Sequence, residues 1–235
     1  MLGTAFFAYR LDREYPAEPG LSTLVRARPH GGPWGAPSEV PGLGDARVTA
    51  DPEGGAVLAG TRAARRGDVG LFGEPVATRV EVDGVVGELR GPALANPGRA
   101  FTPSAVALAG GRRLLVHSLK SGPAAFSNVA PVAAVTLGPG EQRKPLSPLT
   151  ARLASEPVAV PLAGSRAFVV WAGERGWGAT LVSAAGAAGP TAVPPGPAPA
   201  RFHSNATNRD VRTAGAYVAL TSERAGRVRV TLRRP

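Results

Sequence analysis

A short motif that returns about every fifty residues constrains this chain more than any other feature of it. A turn glycine is followed within three residues by a brief apolar run and then by a polar or charged residue, at 3–12 (GTAFFAYRLD), 55–62 (GAVLAGTR), 111–120 (GRRLLVHSLK), 164–174 (GSRAFVVWAGE) and 215–223 (GAYVALTSE). The leading glycines stand 52, 56, 53 and 51 residues apart. Self-similarity at so constant a period is the mark of a repeat architecture. Four copies are preceded by a second apolar, alternating segment, at 47–50, 104–108, 157–162 and 210–213. A glycine-bearing loop between two alternating strands reads as a hairpin, because glycine supplies the positive φ such turns need. The clearest turn is Asp51-Pro52-Glu53-Gly54-Gly55, and a second hairpin runs from Arg79-Val80-Glu81-Val82 through Asp83-Gly84 to Val85-Val86.

Glycine (31 residues) and proline (24) are spread through the 235-residue chain, cutting it into short segments and leaving no room for long helices. With 43% hydrophobic and 19% charged residues, there is enough apolar area to offset the conformational entropy of folding. A unit of roughly 50 residues holding about four short strands matches one blade of a β-propeller. The expected fold is all-β: a single propeller domain of about five blades, with units near 1–44, 45–99, 100–153, 154–200 and 201–235. Gly3 occupies the hairpin position, so the chain opens on the second strand of a unit, and it ends with RVRVTL (227–232) as a third strand. Two arrangements remain open: a five-bladed ring closed by strands from both termini, or part of a larger propeller.

The alternating strand, turn and apolar strand of VTADPEGGAVLAGTR (48–62), with GGPWGAP (31–37) and the weaker echoes GLFGEP (70–75) and GWGAT (176–180), resemble uncharacterised β-propeller repeat proteins of GC-rich bacteria. That resemblance implies blades, and no particular chemistry.

The formal charge of +10 raises nucleic acid as a partner, but the cations are scattered, apart from Arg65-Arg66, Arg112-Arg113 and the arginines from Arg224 to Arg234. A nucleic-acid footprint is a patch rather than a total, so the charge reads as compositional bias. Without cysteine there is no disulfide, thiol nucleophile or cysteine-held zinc. Met1 to Tyr9 lacks a basic leader and a cleavage site, and no stretch approaches the ~20 apolar residues of a membrane span. An extracellular location is favoured only if the chain is a piece of an exported protein.

No P-loop, nucleophile elbow or helical zinc signature is present, and His30, His117 and His203 are far apart in sequence. His117 ends an apolar strand and reads as a half-buried, hydrogen-bonded side chain. Asp51 and Asp83 read as turn caps, and Trp171, at the end of the most apolar run, as core. The candidate ligand contacts are Trp34 and Trp177 in glycine-rich loops, Arg175 beside Trp177, and the polar cluster of His203, Asn205 and Arg209. The resulting expectation is a non-catalytic binding or scaffold propeller, monomeric, presenting loops to a protein or carbohydrate and needing no cofactor or metal. The alternative is a propeller glycosidase or lyase whose acids come from separate blades.

Overall fold

The computed structural model describes residues 4–12, 21–51, 54–63, 73–92, 100–119, 131–140, 143–146, 149, 154–173, 176–190, 210–214, 217–224 and 227–233. Every regular element among them is a strand: β1 (Ala5–Asp12), β2 (Leu21–Arg28), β3 (Ser38–Pro41), β4 (Leu43–Ala50), β5 (Ala56–Ala63), β6 (Gly73–Val80), β7 (Ala100–Ala107), β8 (Arg113–Leu119), β9 (Val132–Leu137), β10 (Arg143–Leu146), β11 (Ala154–Leu162), β12 (Arg166–Gly173), β13 (Gly176–Val182), β14 (Asp210–Ala214), β15 (Tyr217–Arg224) and β16 (Arg227–Arg233). They form antiparallel sheets β1-β2-β3, β4 through β10 in sequence order, β11-β12-β13 and β14-β15-β16. The long sheet is two blades joined at one rung, since β6 and β7 share only the pair Gly73 and Ala100. Five blades result, and the repeated motif falls on β1, β5, β8, β12 and β15.

The blades pack face to face in series. β4 lies against β1 and β2, β7 against β4 and β5, and β11 against β7 and β8 on one side and β14 on the other. Stacking sheets about their first strands is the arrangement of a propeller. Among the described residues no strand pairing joins β1–β3 to β14–β16.

The continuous apolar run of each motif strand follows from this packing. Side chains alternate between the two faces of a strand, and here both faces are buried. In β5, Ala56 and Leu58 join Val25, Val40 and Leu43 against the first blade, while Val57 and Ala59 join Ala105, Ala107 and Leu115 against the third. In β8, Leu114 and Val116 pack with Ala159, Val169 and Trp171 of the fourth blade. Phe168, Val170 and Ala179 line the fourth blade's other face. Each fully buried Leu or Val contributes roughly 1.5–3 kcal/mol.

Tight glycine turns close the hairpins. The Asp51 N–H donates to Gly55 O (3.1 Å) and the Gly54 N–H to Asp51 O (3.0 Å). Gly55 has φ 82°, and a Cβ there would collide with the Val80 carbonyl. Asp83 caps the next turn, its Oδ1 accepting the Val85 N–H at 3.0 Å.

Candidate active site

Three consecutive first strands carry the same irregularity at the same place. The pairing of β4 with β5 slips between Gly44 and Arg47, leaving Asp45 and Ala46 opposite Gly60. That of β7 with β8 slips between Phe101 and Ser104, leaving Thr102 and Pro103 opposite His117. That of β11 with β12 slips between Ser155 and Val158, leaving Glu156 and Pro157 opposite Trp171. These are β-bulges, which re-aim side chains and are over-represented beside active sites. Their third-residue position puts Asp45, Thr102 and Glu156 in corresponding slots of the second, third and fourth blades, with an acid in two of the three. Proline at two of the bulges fits the physics, because the extra residue has no ladder partner for an N–H.

Cross-blade bonds show which ends of neighbouring blades coincide. Thr23 Oγ1 donates to Leu43 O at 2.8 Å on the bulge side, and Ser38 Oγ to Gly84 O at 2.9 Å at the opposite end. Next to the third bulge, the Ala159 N–H donates to Ser104 Oγ at 3.1 Å, tying the third blade to the fourth. The bulge end of the second blade also holds the Arg62–Glu74 ion pair.

His117 is 2% exposed, with Nδ1 buried and without a hydrogen-bond partner. It is therefore fully buried rather than half-buried as its strand-end position implied. It lies two residues beyond Leu115 on the face packed against the second blade, where Thr61 Oγ1 is likewise buried and unpartnered. Burial lowers the imidazole pKa from 6.5 to about 4, with the Ser118 backbone working weakly the other way. At neutral pH it is an uncharged ring.

The residues singled out from the sequence are distributed unevenly. Trp177 pairs with Ala172, which pairs in turn with Ser155, so its backbone sits on the rung beside Glu156 at the bulge end of the fourth blade. Trp34 lies at the other end of the first blade, 39% exposed, with its ring edge-on to Phe7 at 6.4 Å; Phe7 stacks on Tyr9 at 5.5 Å. Arg175, His203, Asn205 and Arg209 lie outside the described residues. Trp171 is core, 3% exposed. Among the described residues no three His, Asp or Glu side chains are grouped so as to hold a metal ion.

The architecture has counterparts of known structure. The alpha-L-arabinanase of Penicillium chrysogenum, complexed with arabinobiose, superposes with a TM-score of 0.57 at 16% identity, over 98% of this chain and 71% of the other. AofleA from Arthrobotrys oligospora does so with a TM-score of 0.51 at 12% identity, over 98% and 72%. The chain is a β-propeller. No family model and no curated protein matches its sequence.

These likenesses correct one expectation. The lack of any contiguous catalytic motif points to a non-catalytic binding or scaffold role, yet the alpha-L-arabinanase shares this architecture, which overturns that ground for it. In a propeller, residues near the axis come from strands about fifty positions apart, so a catalytic set leaves no contiguous motif. Asp45 and Glu156, absent from the sequence-based candidates, stand at corresponding backbone positions of β4 and β11. The only signal for them was an acid followed by Ala or Pro, two residues into each first strand.

Proposed function

We propose that the protein is a propeller glycosidase whose acids come from separate blades, Asp45 from the second and Glu156 from the fourth. The observation that carries this reading is the bulge repeated in register in β4, β7 and β11, with a carboxylic acid in two of its three copies. Glycoside hydrolysis needs a pair of carboxyl groups. One protonates the leaving oxygen; the other activates water or attacks the sugar carbon, with separations of about 5–5.5 Å for retention and 6.5–9.5 Å for inversion. First strands of alternate blades are suited to holding two such groups across an axial space without direct contact. Trp177, whose backbone sits on the rung beside Glu156, is the aromatic residue proposed to stack on a sugar ring, and Arg175, His203, Asn205 and Arg209, outside the described residues, are the further proposed contacts. Hydrolysis is favoured over the lyase chemistry also open to such acids by the arabinanase with which the fold is shared. Short arabino- and xylo-oligosaccharides are the substrates to try.

The test is release of reducing ends from that panel by the wild type, Asp45→Asn and Glu156→Gln. Turnover by the wild type and a loss of about 10²–10⁴-fold in each variant, with circular dichroism unchanged, are expected. Variants as active as the wild type, or no turnover of any member of the panel, would overturn the assignment.

A further inference from the structure

At the end of the blades remote from the bulges, the seam between the second and third blades holds a group of arginines that the hydrolytic reading leaves without a role. Arg79 ends β6 two residues beyond Ala77, and Arg90 bridges Ala77 from the outer edge of the same blade, both backbone N–H groups bonding across (2.7 and 3.0 Å). Arg113 opens β8 of the third blade, two residues before Leu115 and in register with Ala107 and Leu137. Ala77, Ala107, Leu115 and Leu137 belong to one core cluster. By strand alternation the three arginines therefore edge the same seam from both sides.

The ion-pair partners of these arginines are three carboxylates, two of them largely exposed. Asp51, its side chain only 7% exposed, lies 3.9 Å from Arg79 Nε. Glu81 (3.5 Å from Arg79) and Glu88 (2.9 Å from Arg90) are 51% and 73% exposed, and ion pairs at such exposure are weak. Arg79 Nη2 donates to Gly54 O at 3.2 Å and its Nε faces the Glu81 and Asp51 carboxylates, whereas Arg113 Nε is buried without a hydrogen-bond partner. Buried, unpartnered donors on cationic groups are costly, and each calls for an acceptor. The Arg113 guanidinium is held below its ordinary pKa first by burial, then by Arg90 and Arg79, with Asp51 alone opposing.

We propose that this end of the seam binds an oxyanion, a sulfate, phosphate or carboxylate group, between Arg113 of the third blade and Arg79 and Arg90 of the second. Planar guanidinium groups from two blades match the paired oxygens of such an anion. The site is separate from the bulges and does not depend on the hydrolytic reading.

Calorimetric titration at constant ionic strength tests it, with sodium sulfate and oligogalacturonate as probes and chloride as the background ion. Saturable binding to the wild type is expected, weakened about tenfold or more in Arg113→Gln and in Arg90→Gln, and retained in Asp45→Asn and Glu156→Gln. Arg113→Gln should also melt in chloride no lower than the wild type, because it removes a charge that burial and two neighbouring arginines disfavour. Saturation by sulfate alone would identify a free inorganic anion as the ligand; tighter binding of oligogalacturonate would identify the carboxylates of an acidic polysaccharide. No saturable binding of either probe, or undiminished binding by both arginine variants, would overturn the proposal.

Discussion

The two seams of the third blade solve the same packing problem with different materials. Toward the fourth blade, Val106, Leu108, Leu114, Val116 and Val132 meet Val169, Trp171 and Val182 in an apolar cluster. Toward the second blade the core is built largely of small residues, Ala59, Ala77, Ala105 and Ala107. It is bounded at one end by His117 and Thr61 and at the other by Arg79 and Arg113. The first seam's stability rests on apolar area. The second buries less area per residue and places ionisable groups where their protonation is coupled to folding.

The most damaging way to break the contrast is in the apolar seam. Trp171→Ala removes a nearly buried indole and should cost about 3–5 kcal/mol, read as a lower urea midpoint at unchanged slope. Gly178→Ala probes the same contact from the next strand, since a Cβ there would land on the Trp171 ring. It should destabilise in the same assay, by about 1–3 kcal/mol for overpacking.

In the mixed seam the corresponding test is acid. Burial holds the folded His117 pKa at about 4, below the ordinary 6.5, so the unfolded chain takes up a proton that the folded chain resists. Its contribution is fully present above pH 6.5 and is lost as pH falls toward 4, by about 3 kcal/mol in all. Denaturant unfolding measured across that window should show the decline, and His117→Asn should flatten it. Equal slopes in the two proteins would mean that the seam does not sense pH through this residue. At the opposite end of the seam, Glu88→Gln should change stability by less than about 0.5 kcal/mol, because Glu88 is 73% exposed.

Much of the fold was legible because a propeller repeats its local physics. The glycine-led apolar runs are the second strands of four blades and, as β1, the opening strand of another; Asp83-Gly84 and Asp51 to Gly55 are the turns they read as. Trp171 is core, as the apolarity of its strand implied. The bulges were not legible, since a bulge is a mismatch between two strands and neither strand alone reveals it. Asp45 in LGDARVTA and Glu156 in ASEPVAVPL look like ordinary surface acids until β5 and β12 are laid beside them. The aromatic contact of Trp34 with Phe7 was hidden for a related reason: 27 sequence positions separate two rings brought together by the pairing of β1 with β2.

The motif strand whose alternate residues enter two different cores has a further consequence. A substitution in β5 or β8 is felt by two neighbours at once, so the blades behave as links in a one-dimensional chain with nearest-neighbour coupling. A blade copied by duplication would arrive with one face fitted to the blade before it and the other to the blade after it. It could settle only where both fits were met, which would make the order of blades, as much as their number, a selected property of the chain.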